Sequence, residues 1–263
     1  MSTSRSAPER VEAPLDEPPV LEVAVLGRVE VRVGGHLLRI GRAKSVELLV
    51  YLAVHRDGVD ADRLWEALWP DRPMRSAVLH TTVSVARRSL REGADRPLLV
   101  SDARGGRVYQ LTGPIELDWE RFEQLAGFDQ TRHSASAYAL DAALALVRGS
   151  PFTSTAPGSY DWARGYRTEI EAAIGSVAES LGLLRLEHDD VIGARRAARQ
   201  GLRGAPYDER LYRLLMRAAH ASEHPSGIDS VMQELTDVLG AEPDATESRT
   251  RQLYQTLRRP VPD

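Results

Sequence analysis

The sequence predicts an α+β domain of the winged helix-turn-helix kind, followed by an all-α, tetratricopeptide-like helical domain. Three observations carry this. Residues 60–91 read as a short helix, a break at Pro70 and Pro73, and a second amphipathic helix with arginines along one side. A basic β-ribbon, Leu98 to Leu111, follows directly. Beyond Pro114 the apolar spacing is helical throughout. A helix, a turn, a basic helix and a hairpin in that order place the second helix in a DNA major groove.

Each element has its own local reason. Residues 1–19, rich in Pro, Ser and Glu, read as a disordered tail. Leu21 to Leu26, Val29 to Val33 and Leu37 to Ile40 run apolar or alternate, which predicts three short strands, the last two joined by a tight Gly34-Gly35 turn. Ala43 to Arg56 predicts a helix burying Val46, Leu49, Val50 and Ala53 and ending at Gly58. Asp60 is the expected N-cap of the next helix, with Leu64, Trp65 and Leu68 inward. In the helix after it, Leu79, Val83, Ala86 and Leu90 form the buried stripe. The second half divides into expected helices at 118–127, 134–148, 160–187, 189–202, 208–222, 226–239 and 246–258, with breaks at Gly149-Ser-Pro, Gly204-Ala-Pro and Ala241-Glu-Pro. Short loops between them predict antiparallel pairs, although no strict 34-residue period is present. The expected boundaries are a tail at 1–19, a winged helix at 20–113 and a helical domain at 114–263.

Charge is distributed unevenly. The net charge of −4 would disfavour a nucleic-acid partner if it were spread evenly. Residues 72–107 instead hold eight arginines against Glu92, Asp95 and Asp102, whereas residues 114–263 hold 17 basic and 23 acidic groups. A basic patch beside an acidic second half is the asymmetry of a DNA reader with a protein-facing domain. Every basic residue except Lys44 is arginine, a bias that a GC-rich genome also produces. Cysteine is absent, which excludes disulfides and thiolate-bound zinc and fits an intracellular home, and a DNA reader there is expected to be cytoplasmic and nucleoid-associated. The longest clean apolar run, Leu48 to Val54, is too short to span a bilayer, so no membrane is expected.

The candidate DNA contacts follow from a helical wheel. His80, Thr81, Ser84, Arg87, Arg88 and Arg91 occupy the arc opposite the buried stripe. Arg87, Arg88 and Arg91 are placed on phosphates, and His80, Thr81 and Ser84 at base edges. Arg75, just ahead of the helix, joins the same basic face. Arg104 and Arg107, at the ribbon tip and on its returning strand, are placed on the backbone or the adjacent minor groove. The competing reading is a solvated helix face in an arginine-rich chain.

Other constellations carry less. Trp65 and Trp69, four apart on a short helix, read as core. Gly41, Lys44 and Ser45 lack the spacing of a phosphate-binding loop. His220 and His224 lack the further ligands a metal needs. No nucleophile elbow or dinucleotide fingerprint is present, so neither catalysis nor a cofactor is expected. Tyr160, Trp162, Tyr166, Tyr207 and Tyr212 either pack between helices or line a groove for a peptide or small effector.

Over roughly residues 20–260 the chain resembles the Streptomyces antibiotic regulatory protein family. The matching pieces are Leu64-Trp-Glu-Ala-Leu-Trp69, Val83-Ser-Val-Ala-Arg-Arg-Ser-Leu90 and Gly106-Arg-Val-Tyr-Gln-Leu111, then Ala142-Ala-Leu-Ala-Leu-Val-Arg-Gly149, Tyr207-Asp-Glu-Arg-Leu-Tyr-Arg-Leu-Leu-Met216 and Arg251-Gln-Leu-Tyr254. The resemblance implies a response-regulator-type winged helix joined to a bacterial transcriptional activation domain. It also implies binding to double-stranded promoter DNA and contact with RNA polymerase, a sigma factor or another transcription factor, with a homodimer as a further option. Val85 departs from the pattern, standing where such helices often carry another basic residue. The expected function is therefore a non-enzymatic transcriptional regulator. The alternatives are an adaptor with weakened DNA contact that partners another transcription factor, and an effector-sensing regulator.

Overall fold

The computed structural model describes residues 19–94, 97–101, 108–128, 135–156, 158–222, 225–240 and 246–258. The chain begins with β1 (Leu21–Ala24), β2 (Glu30–Val33), β3 (His36–Leu37), α1 (Ala43–Val54), β4 (Val59–Asp60), α2 (Ala61–Leu68) and α3 (Ser76–Arg91). It continues with β5 (Leu99–Ser101), β6 (Val108–Leu111) and β7 (Ile115–Leu117). Helices then follow: α4 (Asp118–Ala126), α5 (Ala137–Ala145), α6 (Arg164–Glu187), α7 (Val191–Gly204), α8 (Glu209–Ala221), α9 (Pro225–Leu239) and α10 (Ser248–Leu257). A 3-10 turn at Asp161–Ala163 leads into α6.

Two small sheets frame the first half. One has the order β3-β2-β1-β7, antiparallel except for the parallel β1–β7 pair, in which Leu21 faces Ile115 and Val23 faces Leu117. Gly34 and Gly35, both at positive φ, make the β2–β3 turn. The other sheet, β4-β6-β5, is the wing. The first expected strand was longer than β1. Val25 and Leu26 leave the sheet because their amides donate to the Asp118 carboxylate, at 2.7 and 3.1 Å. The expected boundary at 113/114 falls inside shared packing rather than in an open linker, since β7 lies beyond it yet pairs with β1.

Beyond β7 the helices stack in neighbouring pairs, as the tetratricopeptide-like reading expected. α6 and α7 approach closely through Gly201, where an added Cβ would sit 2.5 Å from the Ala178 Cβ. The helical edges differ from expectation by a few residues, which is ordinary fraying. Asp190 caps α7 through Gly193 N–H (2.8 Å), and Asp208 caps α8 through Arg210 N–H (3.1 Å).

One continuous core runs from the N-terminal sheet through α1–α3 and into α4–α7, and a second lies among α7, α8 and α9. The seam between the halves is densely bonded. Arg148 N–H donates to the Leu26 carbonyl, Phe152 N–H to Val25 and Thr153 N–H to Gly27 (2.7–3.0 Å). Gly27, at φ +146°, lies so close to Arg148 and Gly149 that a Cβ would meet their backbone at about 2.9 Å. Glu47 of α1, 1% exposed, pairs with Lys44 at 2.7 Å and accepts from Tyr160 N–H at 3.0 Å. Trp162 sits edge-on to Tyr51 and beside His55, Phe152 and Tyr166. Of the tyrosine alternatives, packing accounts for Tyr160 (2% exposed) and Tyr212 (2%), while Tyr207 is 67% exposed. Among the described residues no helix is long and apolar enough to cross a membrane.

Candidate nucleic-acid interface

α2 and α3 form the helix-turn-helix. Asp60 caps α2 by accepting from Arg63 N–H at 2.9 Å, as its position predicted. Trp65 and Trp69 stack with centroids 4.5 Å apart, and Trp65 Nε1 donates to the Arg72 carbonyl at 2.8 Å. That bond ties the turn to α2 and sets the direction in which α3 departs. Asp71, at φ +61°, makes the reversal.

α3 is anchored along one side only. Leu79, Val83, Ala86 and Leu90 are at most 2% exposed, and Thr82 and Ser89 are buried with them. Ser45 of α1 donates its hydroxyl to the Thr82 carbonyl at 2.9 Å, fixing α3 against α1. The opposite side carries His80, Thr81, Ser84, Arg88 and Arg91, all exposed, as a stripe roughly 100° wide. Arg75 is exposed just ahead of it. Among the described residues Arg75, Arg88 and Arg91 face no carboxylate. Arg88 and Arg91 also complement the negative end of the α3 dipole. The Thr81 hydroxyl donates to the Ala77 carbonyl at 2.7 Å, leaving its oxygen lone pairs to accept.

Arg87 departs from its expected place among the phosphate contacts. It is half-buried, and its Nε donates to the Leu99 carbonyl at 3.1 Å while a terminal nitrogen donates to Ser101 Oγ at 3.0 Å. The wheel puts Arg87 at the edge of the polar arc, on the flank where β5 passes, and so the strand captures it. The residue is a strut between α3 and the wing. Its positive charge also opposes the upward shift of the Tyr109 phenol, which burial nevertheless raises.

A groove of about 290 Å³ lies between α3 and β5, lined by Arg87, Leu90, Arg91 and residues 97–101. It brings Arg91 of the helix alongside the wing. Arg104 and Arg107 lie outside the described residues, as does His224. Val85 is half-buried on the other flank of the arc. Arg72 and Met74, exposed in the turn before α3, were not among the expected contacts; helical periodicity could not find them because the helix starts at Ser76. Among the described residues no three His, Asp or Glu side chains converge as metal ligands.

Comparison with known proteins bears on both halves. No curated protein sequence matches the chain. Among solved structures it is similar to Mycobacterium tuberculosis EmbR, determined in complex with a low-affinity phosphopeptide, with 22% identity and a TM-score of 0.62 over 93% of this chain and 67% of that one. That likeness carries the fold across both halves. The model of the bacterial transcriptional activator domain matches residues 117–258, more than half of the chain and the whole run of helices from α4 to α10. The chain therefore belongs to the bacterial transcriptional activator domain family.

Proposed function

We propose that this transcriptional regulator binds double-stranded DNA through α3 and the wing and contacts RNA polymerase, a sigma factor or another transcription factor through its helical half. One observation carries the DNA reading. A helix buried along one side presents Arg88 and Arg91 on the other, with Arg75 exposed just ahead of its first turn, and no carboxylate among the described residues neutralises any of the three. Arg75, Arg88 and Arg91 hold phosphates. His80, Thr81 and Ser84, exposed on the same face of α3, reach base edges and supply sequence preference. Arg87 keeps the wing at a fixed angle to the helix, and Arg104 and Arg107 extend the contact to the backbone or minor groove beside it. The uneven charge of the sequence supports the division of labour, with a basic reader joined to an acidic partner-facing half.

The test is the salt dependence of duplex binding. Each phosphate contact should contribute roughly 0.9 to the slope of log affinity against log salt. Thr81→Ala and Ser84→Ala should relax the preference among sequences more than they weaken overall affinity, by about 1–3 kcal/mol for each lost base contact. Selection of bound duplexes from a random pool reads this directly. Salt-independent binding would remove the phosphate assignment, and unchanged preference in both variants would move the reading face elsewhere.

A further inference from the structure

The helical half carries a second set of arginines with a different setting. α6, α8 and α10 are the first helices of successive pairs, so they line one side of the helical array. Between them runs a groove of about 400 Å³ lined by Glu179, Arg213, Arg217, Arg249, Gln252 and Leu253, with Thr256 at its edge. Its walls are stitched together. The Glu209 carboxylate accepts from Glu247 N–H at 2.8 and 3.0 Å, and Arg213 donates to Glu247 Oε2 at 2.7 Å and to the buried Thr250 hydroxyl at 2.8 Å. Glu179 lies 3.7 Å from Arg210. Those pairs account for the groove's acids and leave two cations over. Arg217 is half-buried and Arg249 exposed, and among the described residues neither has an ion-pair or hydrogen-bond partner. A guanidinium with no partner inside the protein keeps its fork of donors for a ligand from outside.

We infer that this groove binds an acidic peptide segment of a protein partner, with carboxylates on Arg217 and Arg249 and an apolar side chain against Leu253. The shape favours a chain over a small anion. The two guanidiniums sit on different helices along an open groove, and no backbone N–H cradle gathers them to one point. The Gln252 amide can both donate to and accept from a peptide backbone. Nucleic acid suits the groove less well, because its lining offers two unpaired cations and no aromatic ring for a base to stack on. Since α8 and α10 are already fixed to each other, little ordering is lost on binding.

The probe is a fluorescein-labelled peptide of alternating glutamate and leucine, read by fluorescence polarisation against the full chain. The same peptide with lysine in place of glutamate is the control. The glutamate peptide should bind, increasingly weakly as salt rises, and the lysine peptide should not. Arg217→Ala and Arg249→Ala should each weaken binding about tenfold, the loss of one charge-assisted bond. Thermal melting of each variant checks that it folds, and the exposed Arg249 gives a charge reversal, Arg249→Glu, that keeps the test decisive if Arg217→Ala melts early. The inference is overturned if the wild-type chain does not bind, if these variants bind as well as wild type, or if Arg195→Ala on the far face of α7 costs as much. Displacement by millimolar phosphate or by duplex DNA would hand the groove to a small anion or to nucleic acid, and either result overturns it too. None of these readouts depends on DNA binding by α3, so failure of the DNA reading and failure of this one are separable.

Discussion

Arginine does opposite work at the seam and on α3. At the seam Arg148 donates to the Arg28 carbonyl at 2.9 Å and to Asp118 at 3.2 Å, within a network that also satisfies the amides of Val25 and Leu26. On α3 Arg75, Arg88 and Arg91 turn outward with no acid to meet them among the described residues. Donors that are all matched within the protein hold it together. Donors left over, on an element that is otherwise rigidly buried, are available to a ligand without any rearrangement. Arg87 stands between the two cases: it lies on α3, but its donors are matched within the protein like those of the seam.

That contrast can be broken by substitution, and the largest effect belongs to the seam. Asp118→Ala should lower unfolding stability by about 2–4 kcal/mol, because two backbone N–H groups and Arg148 lose their acceptor at once. Chemical denaturation measures this, and the salt slope of DNA binding should not move. Next comes the converse. Arg88→Ala with Arg91→Ala should flatten the salt slope by roughly 2 while changing stability by less than about 0.5 kcal/mol. A large loss of stability from that pair would mean the arginines hold the helix in place. Arg87→Ala should affect both properties moderately, costing about 1 kcal/mol of stability and weakening duplex binding by loosening the wing. If it lowered the salt slope by a full unit with stability intact, it would be a phosphate contact and not a strut.

The smallest effect is one of pH. Burial raises the Asp118 carboxyl above its ordinary value, although the Val25 and Leu26 amides and Arg148 pull the other way. A raised folded-state value means the folded chain holds the proton more tightly, so this contribution is present below the unfolded value and lost as pH rises through the folded one. The stability of the wild type relative to Asp118→Asn should therefore decline as pH is raised upward from about 3.9. The opposite slope would show that the hydrogen bonds outweigh the burial.

Much of this was legible in the residues themselves. The stripe of Leu79, Val83, Ala86 and Leu90 declared itself by spacing, Asp60 by its capping position, and Trp65 and Trp69 by their four-residue interval. What could not be read depends on partners far away in sequence. Ile115-Glu-Leu117 is too short to announce a strand, and its parallel partner β1 lies more than 90 residues earlier. Lys44 and Glu47 look like a surface pair on a helix, yet Glu47 is buried because a turn from the other half presents the Tyr160 amide to it. A wheel gave the bearing of Arg87 but not the strand that lies along that bearing. The groove of Arg217 and Arg249 joins helices whose adjacency no local pattern encodes.

The common core also has a consequence for where such a protein could stand on a promoter. Because Glu47, Trp162 and the Val25–Phe152 bonding join the halves without slack, the face that meets a partner keeps one bearing around the duplex once α3 is seated. B-form DNA turns once in about 10.5 base pairs. On the proposed reading, five base pairs inserted between the binding site and the promoter would carry the helical half to the wrong side of the duplex, and ten would bring it back. A flexibly tethered reader would be indifferent to the difference.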